Sequence, residues 1–359
     1  MITVIRRIHM LGFSVYLGQP LNKSYILNMV DLGYDIIFTS LQIPEENDQT
    51  KLTYLGELCQ LLKDKSVTYI IDINPSLLNQ NVYRFFDQFS NGDFVIRIDD
   101  HFNYDLIADL FHHNLQCCLN ASTITTEILD TLYNQKSLSK VYFCHNYYPR
   151  PDTGLALNLF EQRNNLIRKY DEHASIMAFI PGTTLRGPLY KGLPTIEQHR
   201  HMTLLQSAHS LLKYNLDYIL IGDTAINYAE AVALQQMIYH RHFKLRLSYF
   251  DKSYEQLIFK QHTSRLDAPE NVIRSKYSRL TKVNIPPTNN FNQYRYKGDV
   301  TVDNSLNQRY EGELQVIKAD LPNHKAINHV ASICDEDKVV IDLIQPGDTF
   351  EFITEKEKR

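Results

Sequence analysis

The feature that most constrains the fold is a series of eight short apolar runs, each of which ends in polar or charged residues. Segments of helix length separate them. Apolar strands that alternate with helices predict parallel βαβ units, and eight such units predict a (β/α)8 TIM barrel, whose chemistry lies at the carboxyl ends of the strands. The eight runs are Phe13–Tyr16, Ile36–Ser40, Tyr69–Asp72, Val95–Asp100, Cys118–Asn120, Val141–Asn146, Met177–Ile180 and Tyr218–Asp223.

The composition indicates an ordinary globular protein of more than one domain. The chain has 359 residues, of which 43% are hydrophobic and 22% charged, and its formal net charge is −4. At about 150 residues per domain this length predicts two domains, although one barrel alone can take about 250. The net negative charge, without a basic stripe, argues against nucleic-acid binding. No run of about 18 apolar residues predicts a membrane span.

The five cysteines follow no metal-binding spacing, and no signal-peptide pattern opens the chain. We therefore expect a cytoplasmic protein. Residues 1–9 are left out of the fold prediction, because Met10 directly precedes the first predicted strand. The sequence leaves monomer and homodimer open.

Helical periodicity between the runs predicts the outer ring of the barrel, which we assign to residues 1–240. Ser24–Val30 leads to Leu32-Gly33, where glycine suits the position after a helix end. The other predicted helices are Leu52–Lys63, Val82–Phe89, Tyr104–Phe111, Ile124–Tyr133, Asn158–Tyr170 and Thr195–Leu212, and the pattern continues to Ile238.

After His242 the pattern changes to strand-like segments separated by turn residues such as Pro286-Pro287 and Pro346-Gly347-Asp348. We therefore predict a small antiparallel β-barrel domain over residues 241–359. Its predicted strands are Phe243–Phe250, Asn271–Ser275, Gly298–Val302, Glu311–Ala319, Val339–Leu343 and Thr349–Ile353.

Four motifs, in this order along the chain, make the sequence similar to a known family. They are Leu11–Tyr16, Ile37–Leu41, Cys144–Pro149 and Gly312–Gln315. Together they resemble the two-domain barrel proteins that include the bacterial 6-phospho-N-acetylmuramidase. The resemblance implies a TIM barrel followed by a cyclophilin-like β-barrel. It also implies hydrolysis of N-acetylmuramic acid 6-phosphate–N-acetylglucosamine during recycling of the cell wall.

Glycoside hydrolysis usually needs one protonated and one ionised carboxyl group. The strand ends offer Asp72, Asp99, Asp100 and Asp223, with Glu45 shortly after the second strand. Each of these carboxylates has an alternative role in capping or fixing a loop. We favour Asp99, because alternation along the strand places it on one face with Arg97, whereas Asp100 points to the other face. Arg97 and Asp99 then form a buried pair that can tune a pKa, or a structural salt bridge in the barrel.

A phosphorylated substrate requires positive charge, and barrels commonly bind phosphate in the loops after strands seven and eight. Arg186 lies in the first of these loops and is the leading anion ligand, for either the phosphate or the lactyl carboxylate. Its alternative role is a surface ion pair. The resemblance also suggests, more weakly, that Arg274 and Glu313 of the second domain complete the pocket. Further predicted substrate contacts are Tyr16, Asn120, His145 and Asn146.

The histidine pairs His112-His113, His199-Arg200-His201 and His240-Arg241-His242 do not predict a metal site, because i, i+2 residues of a helix point to different faces. No metal or cofactor is expected. Two alternatives to a hydrolase stay open: another barrel enzyme for sugar phosphates, such as an isomerase or epimerase, and a non-catalytic sugar-phosphate sensor. In each of these three hypotheses the protein binds a small phosphorylated sugar.

Overall fold

The computed structural model describes residues 10–42, 48–89, 92–99, 102–214, 216–281, 284–288 and 292–354. The chain divides into two compact units, Met1–Gln235 and Gln236–Arg359. The predicted fold class, a TIM barrel followed by a β domain, is confirmed.

Eight parallel strands close the barrel of the first unit in chain order, and the last strand pairs with the first. The strands are β1 Met10–Ser14, β2 Tyr34–Ser40, β3 Val67–Asp72, β4 Gly92–Ile98, β5 Gln116–Asn120, β6 Val141–Cys144, β7 Ser175–Ile180 and β8 Tyr218–Ile221.

Eight α-helices alternate with these strands in the part of the chain that the structure describes. Several begin at an asparagine or threonine whose side chain accepts a hydrogen bond from the first-turn backbone, which satisfies donors that a helix start leaves free. The helices are α1 Lys23–Asp31, α2 Asp48–Leu61, α3 Gln80–Asp87, α4 Tyr104–His112, α5 Thr126–Asn134, α6 Leu157–Tyr170, α7 Leu204–Leu212 and α8 Tyr228–Gln235.

The prediction of one helix over Thr195–Leu212 is wrong. A short 3-10 helix covers Glu197–His201, and α7 starts only at Leu204. Thr203 ends the first segment, because its side chain caps α7 and forms a capping box with Gln206. The β7–α7 connection is therefore a long loop at the carboxyl end of the barrel.

A layer of polar side chains lies just above the apolar core of the barrel. Buried apolar residues such as Ile70, Val95 and Cys118 fill the interior. Side chains alternate along a strand, so the next inward positions toward the carboxyl end belong to polar residues. These are Ser40, Asp72, Arg97, Asn120 and, just beyond β6, Asn146. Strand pairing sets Ser40 opposite Asp72, and Asp72 opposite Arg97.

The second unit contains a seven-stranded sheet of order β10-β17-β9-β16-β13-β14-β11 and a separate β12-β15 pair. The described pairings of the large sheet are antiparallel except for β17 with β9. The strands are β9 His242–Phe250, β10 His262–Thr263, β11 Val272–Arg274, β12 Tyr294–Arg295, β13 Asp299–Asp303, β14 Leu314–Ile317, β15 Leu321–Pro322, β16 Ile327–Ile333 and β17 Thr349–Thr354. The described residues of this unit also form one short α-helix, α9 Glu255–Ile258.

One predicted strand is absent from this unit. Val339–Leu343 does not form a strand, and a 3-10 helix covers Val340–Leu343. A short apolar run fits either conformation, because periodicity does not separate them at this length. Strand β16 was not predicted, because Asn328 and His329 interrupt its apolar alternation. Asn328 is nevertheless buried, and its amide donates to the Tyr254 hydroxyl and the Pro286 carbonyl.

Candidate active site

Arg97 is the centre of the polar layer above the barrel core. Its side chain is almost fully buried. Nη1 donates to Asp72 at 2.8 Å, and Nη2 donates to Asp99 at 2.8 Å and also to Asn146. Burial favours the neutral form of the guanidinium, but the neighbouring carboxylates outweigh it and hold the pKa of Arg97 above its ordinary value. The predicted Arg97–Asp99 contact is present, and Asp72 shares the same cation.

Asp72, at the end of β3, is the more enclosed of these two carboxyl groups, with a side chain that is 14% exposed. Besides Arg97, Ser40 Oγ donates to it at 2.9 Å and Gln42 Nε2 at 3.1 Å. Burial nevertheless raises the pKa of Asp72 above its ordinary value, against the lowering effect of Arg97 and Ser40. A raised pKa is what a carboxylic acid needs in order to donate a proton near neutral pH.

Asp99 follows β4 directly and is more open, with a side chain that is 31% exposed. Arg97 Nη2 and Asn120 Nδ2 both donate to its Oδ1, each at 2.8 Å. The side-chain oxygen of Asn120, Oδ1, in turn accepts from the backbone N–H of Ser122, which orients the amide nitrogen Nδ2 toward Asp99. Among the described residues no hydrogen bond reaches Asp99 Oδ2, so this oxygen is open to a ligand.

His145 lies one layer behind these groups and is fully buried. Its Nε2 is 2.8 Å from Asn164 Oδ1, and its Nδ1 is 3.2 Å from Ser122 Oγ. Burial lowers the pKa of His145 to about 4, so the ring is neutral at pH 7. Ser122 Oγ also accepts from the backbone N–H of Asn146. His145 therefore supports Asn146 through Ser122, and it is not an exposed sugar ligand in this structure.

Asp223, just after β8, is buried and accepts only from backbone N–H groups among the described residues. Gly182 and Leu193 donate to Oδ2 at 2.9 and 3.0 Å, and Arg186 donates to Oδ1 at 2.9 Å. A Cβ on Gly182 would lie 2.5 Å from the Ala225 carbonyl oxygen, so only glycine fits there. This geometry favours the alternative role of a carboxylate that fixes a loop.

Arg186 and Tyr16 lie against each other at the carboxyl end of the barrel. The guanidinium carbon of Arg186 is 3.9 Å from the centroid of the Tyr16 ring. The Tyr16 hydroxyl donates to the Gly222 carbonyl, and burial raises the pKa of Tyr16 well above its ordinary value. Arg186 is thus a positive charge held on an aromatic face, a suitable anion ligand.

An ion pair that we did not predict joins two loops of this face. Glu197 accepts from Arg200 and from the backbone N–H groups of Asp152 and Gly154. Arg200 also donates to the carbonyls of Gly192 and Tyr148. The hydrogen bonds from Arg200 lower the pKa of Glu197 to about 2. An i, i+3 pair in the sequence gives no sign of such distant partners.

The remaining predicted site residues lie elsewhere. Arg274 and Glu313 belong to the second unit, where Arg274 Nε and Nη2 donate to the two Glu313 oxygens at 2.6 and 2.8 Å. Their role toward a substrate stays a prediction. Glu45 and Asp100 lie outside the described residues.

Three further observations concern the described part of the chain. It contains no group of three His, Cys, Asp or Glu side chains placed to hold a metal ion. None of its helices has the length and apolar character required to cross a bilayer. A cavity of about 370 Å³ lies at the opposite, amino-terminal end of the barrel, beside Gln116, Tyr142 and Ser175, and is separate from the carboxylates.

A TIM barrel with two carboxyl groups on one guanidinium has the chemical equipment of a glycosidase. Comparison with known families agrees. Residues 11–236 match the profile of the N-terminal domain of 6-phospho-N-acetylmuramidase, and residues 242–353 match that of its C-terminal domain. The chain belongs to the 6-phospho-N-acetylmuramidase family and is a glycosidase.

Two solved structures resemble the whole chain. A conserved protein of unknown function from Enterococcus faecalis is 29% identical, with 96% of each chain covered and a TM-score of 0.80. An uncharacterized protein from B. cereus is 23% identical, with 96% of this chain and 99% of that chain covered and a TM-score of 0.74, and it supports the fold alone. A comparison with curated proteins gave no match.

Proposed function

We propose that the protein hydrolyses N-acetylmuramic acid 6-phosphate–N-acetylglucosamine to N-acetylmuramic acid 6-phosphate and N-acetylglucosamine, in the recycling of peptidoglycan in the cytoplasm. The observation that carries the proposal is the pair Asp72 and Asp99, both bonded to Arg97 at the carboxyl end of the barrel. One guanidinium keeps the two carboxyl groups within the roughly 10 Å that the paired carboxylates of glycosidases span.

Asp72 is the general acid in this proposal, because burial raises its pKa. It transfers its proton to the glycosidic oxygen as the bond from that oxygen to C1 of the muramic acid ring breaks. N-acetylglucosamine then leaves with a new O–H group. Positive charge develops at C1 and the ring oxygen, and it requires a nearby anion.

Asp99 is that anion, because its Oδ2 is open while Arg97 and Asn120 hold Oδ1. A water molecule supplies the hydroxyl group that ends on C1, either directly or after the 2-acetamido group of the substrate has closed on C1. The proton that this water releases goes to a carboxylate of the pair, and exchange with solvent restores the starting state.

Arg186 binds an anionic group of the muramic acid 6-phosphate ring. Its guanidinium is held on the Tyr16 ring, and its backbone N–H is fixed by Asp223. Asp223 positions this loop and does not take part in proton transfer. Asn146 holds Arg97, and Asn120 holds Asp99 directly. The two asparagines therefore keep the carboxylate pair in place.

The test is to incubate the purified protein with the phosphorylated disaccharide, and separately with the unphosphorylated one, and to follow the products by mass spectrometry. We expect cleavage of the phosphorylated disaccharide alone. Asp99→Asn should abolish turnover and keep substrate binding in calorimetry, which separates an enzyme from a sensor. Cleavage of neither sugar by a folded protein would reject the hydrolase and favour the isomerase or the sensor.

A further inference from the structure

The tip of the long loop after β7 is held on both sides by one buried carboxylate. Asp223 accepts from the N–H groups of Arg186 and Leu193, which flank the tip. The tip residues 187–191 between them are exposed or partly exposed. A segment fixed at both ends presents its side chains in a defined place, which is what a binding subsite needs.

Tyr190, within this tip, has a strained backbone and an exposed ring. Its φ is +51°, in the left-handed region that bulky side chains rarely adopt, at a cost of about 1 kcal/mol. The residue is 63% exposed, so burial of the ring does not offset this cost. Its N–H donates to the Arg186 carbonyl at 3.2 Å. Strain of this kind concentrates at ligand-binding sites.

Gly187 supports the ring from one side. A Cβ at Gly187 would lie 2.9 Å from the Tyr190 hydroxyl oxygen and 3.0 Å from Cζ, so the hydroxyl end of the ring rests against the glycine backbone. Most of the ring stays open to solvent. A rigid, open aromatic ring is a suitable surface for the apolar C–H face of an uncharged sugar.

Arg186 and Tyr190 belong to one turn, and Arg186 lies over Tyr16 at the catalytic end of the barrel. We propose that Tyr190 is the stacking platform for the uncharged pyranose ring of the substrate, N-acetylglucosamine, beside the anionic ring that Arg186 binds. This inference rests on the proposed function and adds to it the subsite for the leaving sugar.

The experiment compares two substrates that differ only in this ring: the phosphorylated disaccharide and the methyl glycoside of N-acetylmuramic acid 6-phosphate. Tyr190→Asn removes the aromatic ring with a residue that tolerates the left-handed backbone. Tyr190→Phe keeps the ring. Tyr133→Ala is the matched control, because Tyr133 is 62% exposed on the outer helix α5.

We expect Tyr190→Asn to raise the KM of the disaccharide about five-fold and to leave the KM of the methyl glycoside within about two-fold, as the loss of one stacking contact predicts. Tyr190→Phe and Tyr133→Ala should behave as wild type with both substrates. Equal KM changes for both substrates in Tyr190→Asn, or none for either, would overturn the inference while the proposed function stands.

Calorimetry with free N-acetylglucosamine tests the platform without turnover. We expect wild type and Tyr190→Phe to bind the sugar, and Tyr190→Asn to bind it about five-fold more weakly. This result supports the inference even if the wild-type protein cleaves neither substrate. Equal binding to all three proteins, or no binding to wild type, contradicts it.

Discussion

The guanidinium carbon of Arg186 lies 3.9 Å from the centroid of the Tyr16 ring. This contact orients a planar cation at the carboxyl end of the barrel. A lysine at the same position would keep the charge but would lose the planar stacking and the forked donors.

Arg186→Lys should therefore raise the KM of the phosphorylated disaccharide about five-fold, which corresponds to roughly 1 kcal/mol of cation–π and hydrogen-bond energy. The kcat should change less, because Arg186 lies outside the carboxylate pair. Steady-state kinetics measure both constants, with Arg84→Lys on the exposed surface of α3 as the control. An unchanged KM would mean that the anionic group binds elsewhere.

In the proposed mechanism, the Ser40 hydroxyl sets the pH range of the general acid, Asp72. It donates to Asp72 at 2.9 Å and stabilises the ionised form, so it lowers a pKa that burial raises. Ser40→Ala removes the donor, and the pKa of Asp72 should rise further. Activity that needs protonated Asp72 is lost as the pH rises through this pKa. The alkaline limb of kcat/KM should therefore move to higher pH.

Ser207→Ala is the control for this measurement. Ser207 is a buried serine of α7 whose hydroxyl forms no hydrogen bond with the described residues. Its pH profile should match that of wild type. A Ser40→Ala profile with an unmoved or lowered alkaline limb would exclude Asp72 as the acid that this limb reports.

Ser122 connects His145 to the carboxylate site, since its Oγ contacts the His145 ring and accepts from the Asn146 N–H. Ser122→Ala keeps the backbone N–H that orients Asn120 but removes the hydrogen-bond partner of the His145 ring and of the Asn146 N–H. Asn146 then holds Arg97 less firmly. We expect kcat to fall about ten-fold with the KM within about two-fold, as for a loss of about 1–2 kcal/mol in positioning.

Ser137→Ala provides the comparison, because Ser137 is also buried and hydrogen-bonded, to Tyr104, but lies before β6 at the amino-terminal end of the barrel. Its kcat and KM should both stay near wild type. If Ser122→Ala raised the KM and left kcat unchanged, Ser122 would affect substrate binding and not the carboxylates.

The centre of the site could be predicted from the sequence because it depends on local rules. The phase of a strand fixes which residues point inward, and this rule alone predicts that Arg97 and Asp99 lie together. Strand ends in a barrel meet at one face, which brought Asp72 to the same place. The same rule would also have found Ser40, which ends β2, and Ser122, which follows β5.

The rest of the site depends on the path of long loops, which no local pattern records. A carboxylate after β8 can face the substrate or a loop, and Asp223 accepts from loop residues up to 41 positions away. The Glu197–Arg200 pair likewise reads as an ordinary i, i+3 contact, although it joins the loops after β6 and β7. Sequence alone separates these cases poorly, because the deciding partners are distant along the chain.

Buried histidines make the stability of the protein depend on pH. Burial lowers the pKa of His145 and His199 in the first unit, and of His262 in the second, to about 4. The ordinary value is 6.5, so an unfolded chain takes up protons first as the pH falls. The stability that the neutral rings provide is complete above about pH 6.5 and is lost as the pH falls toward 4, by up to about 3 kcal/mol for each histidine.

His199 is the best position for a test, because neither ring nitrogen forms a hydrogen bond with the described residues. His199→Leu should leave stability at pH 7 unchanged or slightly higher, because it removes an unsatisfied polar group. At pH 4 to 5 the variant should be more stable than wild type by about 2–3 kcal/mol. Urea unfolding at several pH values measures this, with His201→Leu, exposed on the same turn, as the control. If the unfolding free energies of wild type and His199→Leu changed with pH in the same way, His199 would take up its proton as readily in the folded protein as in the unfolded chain.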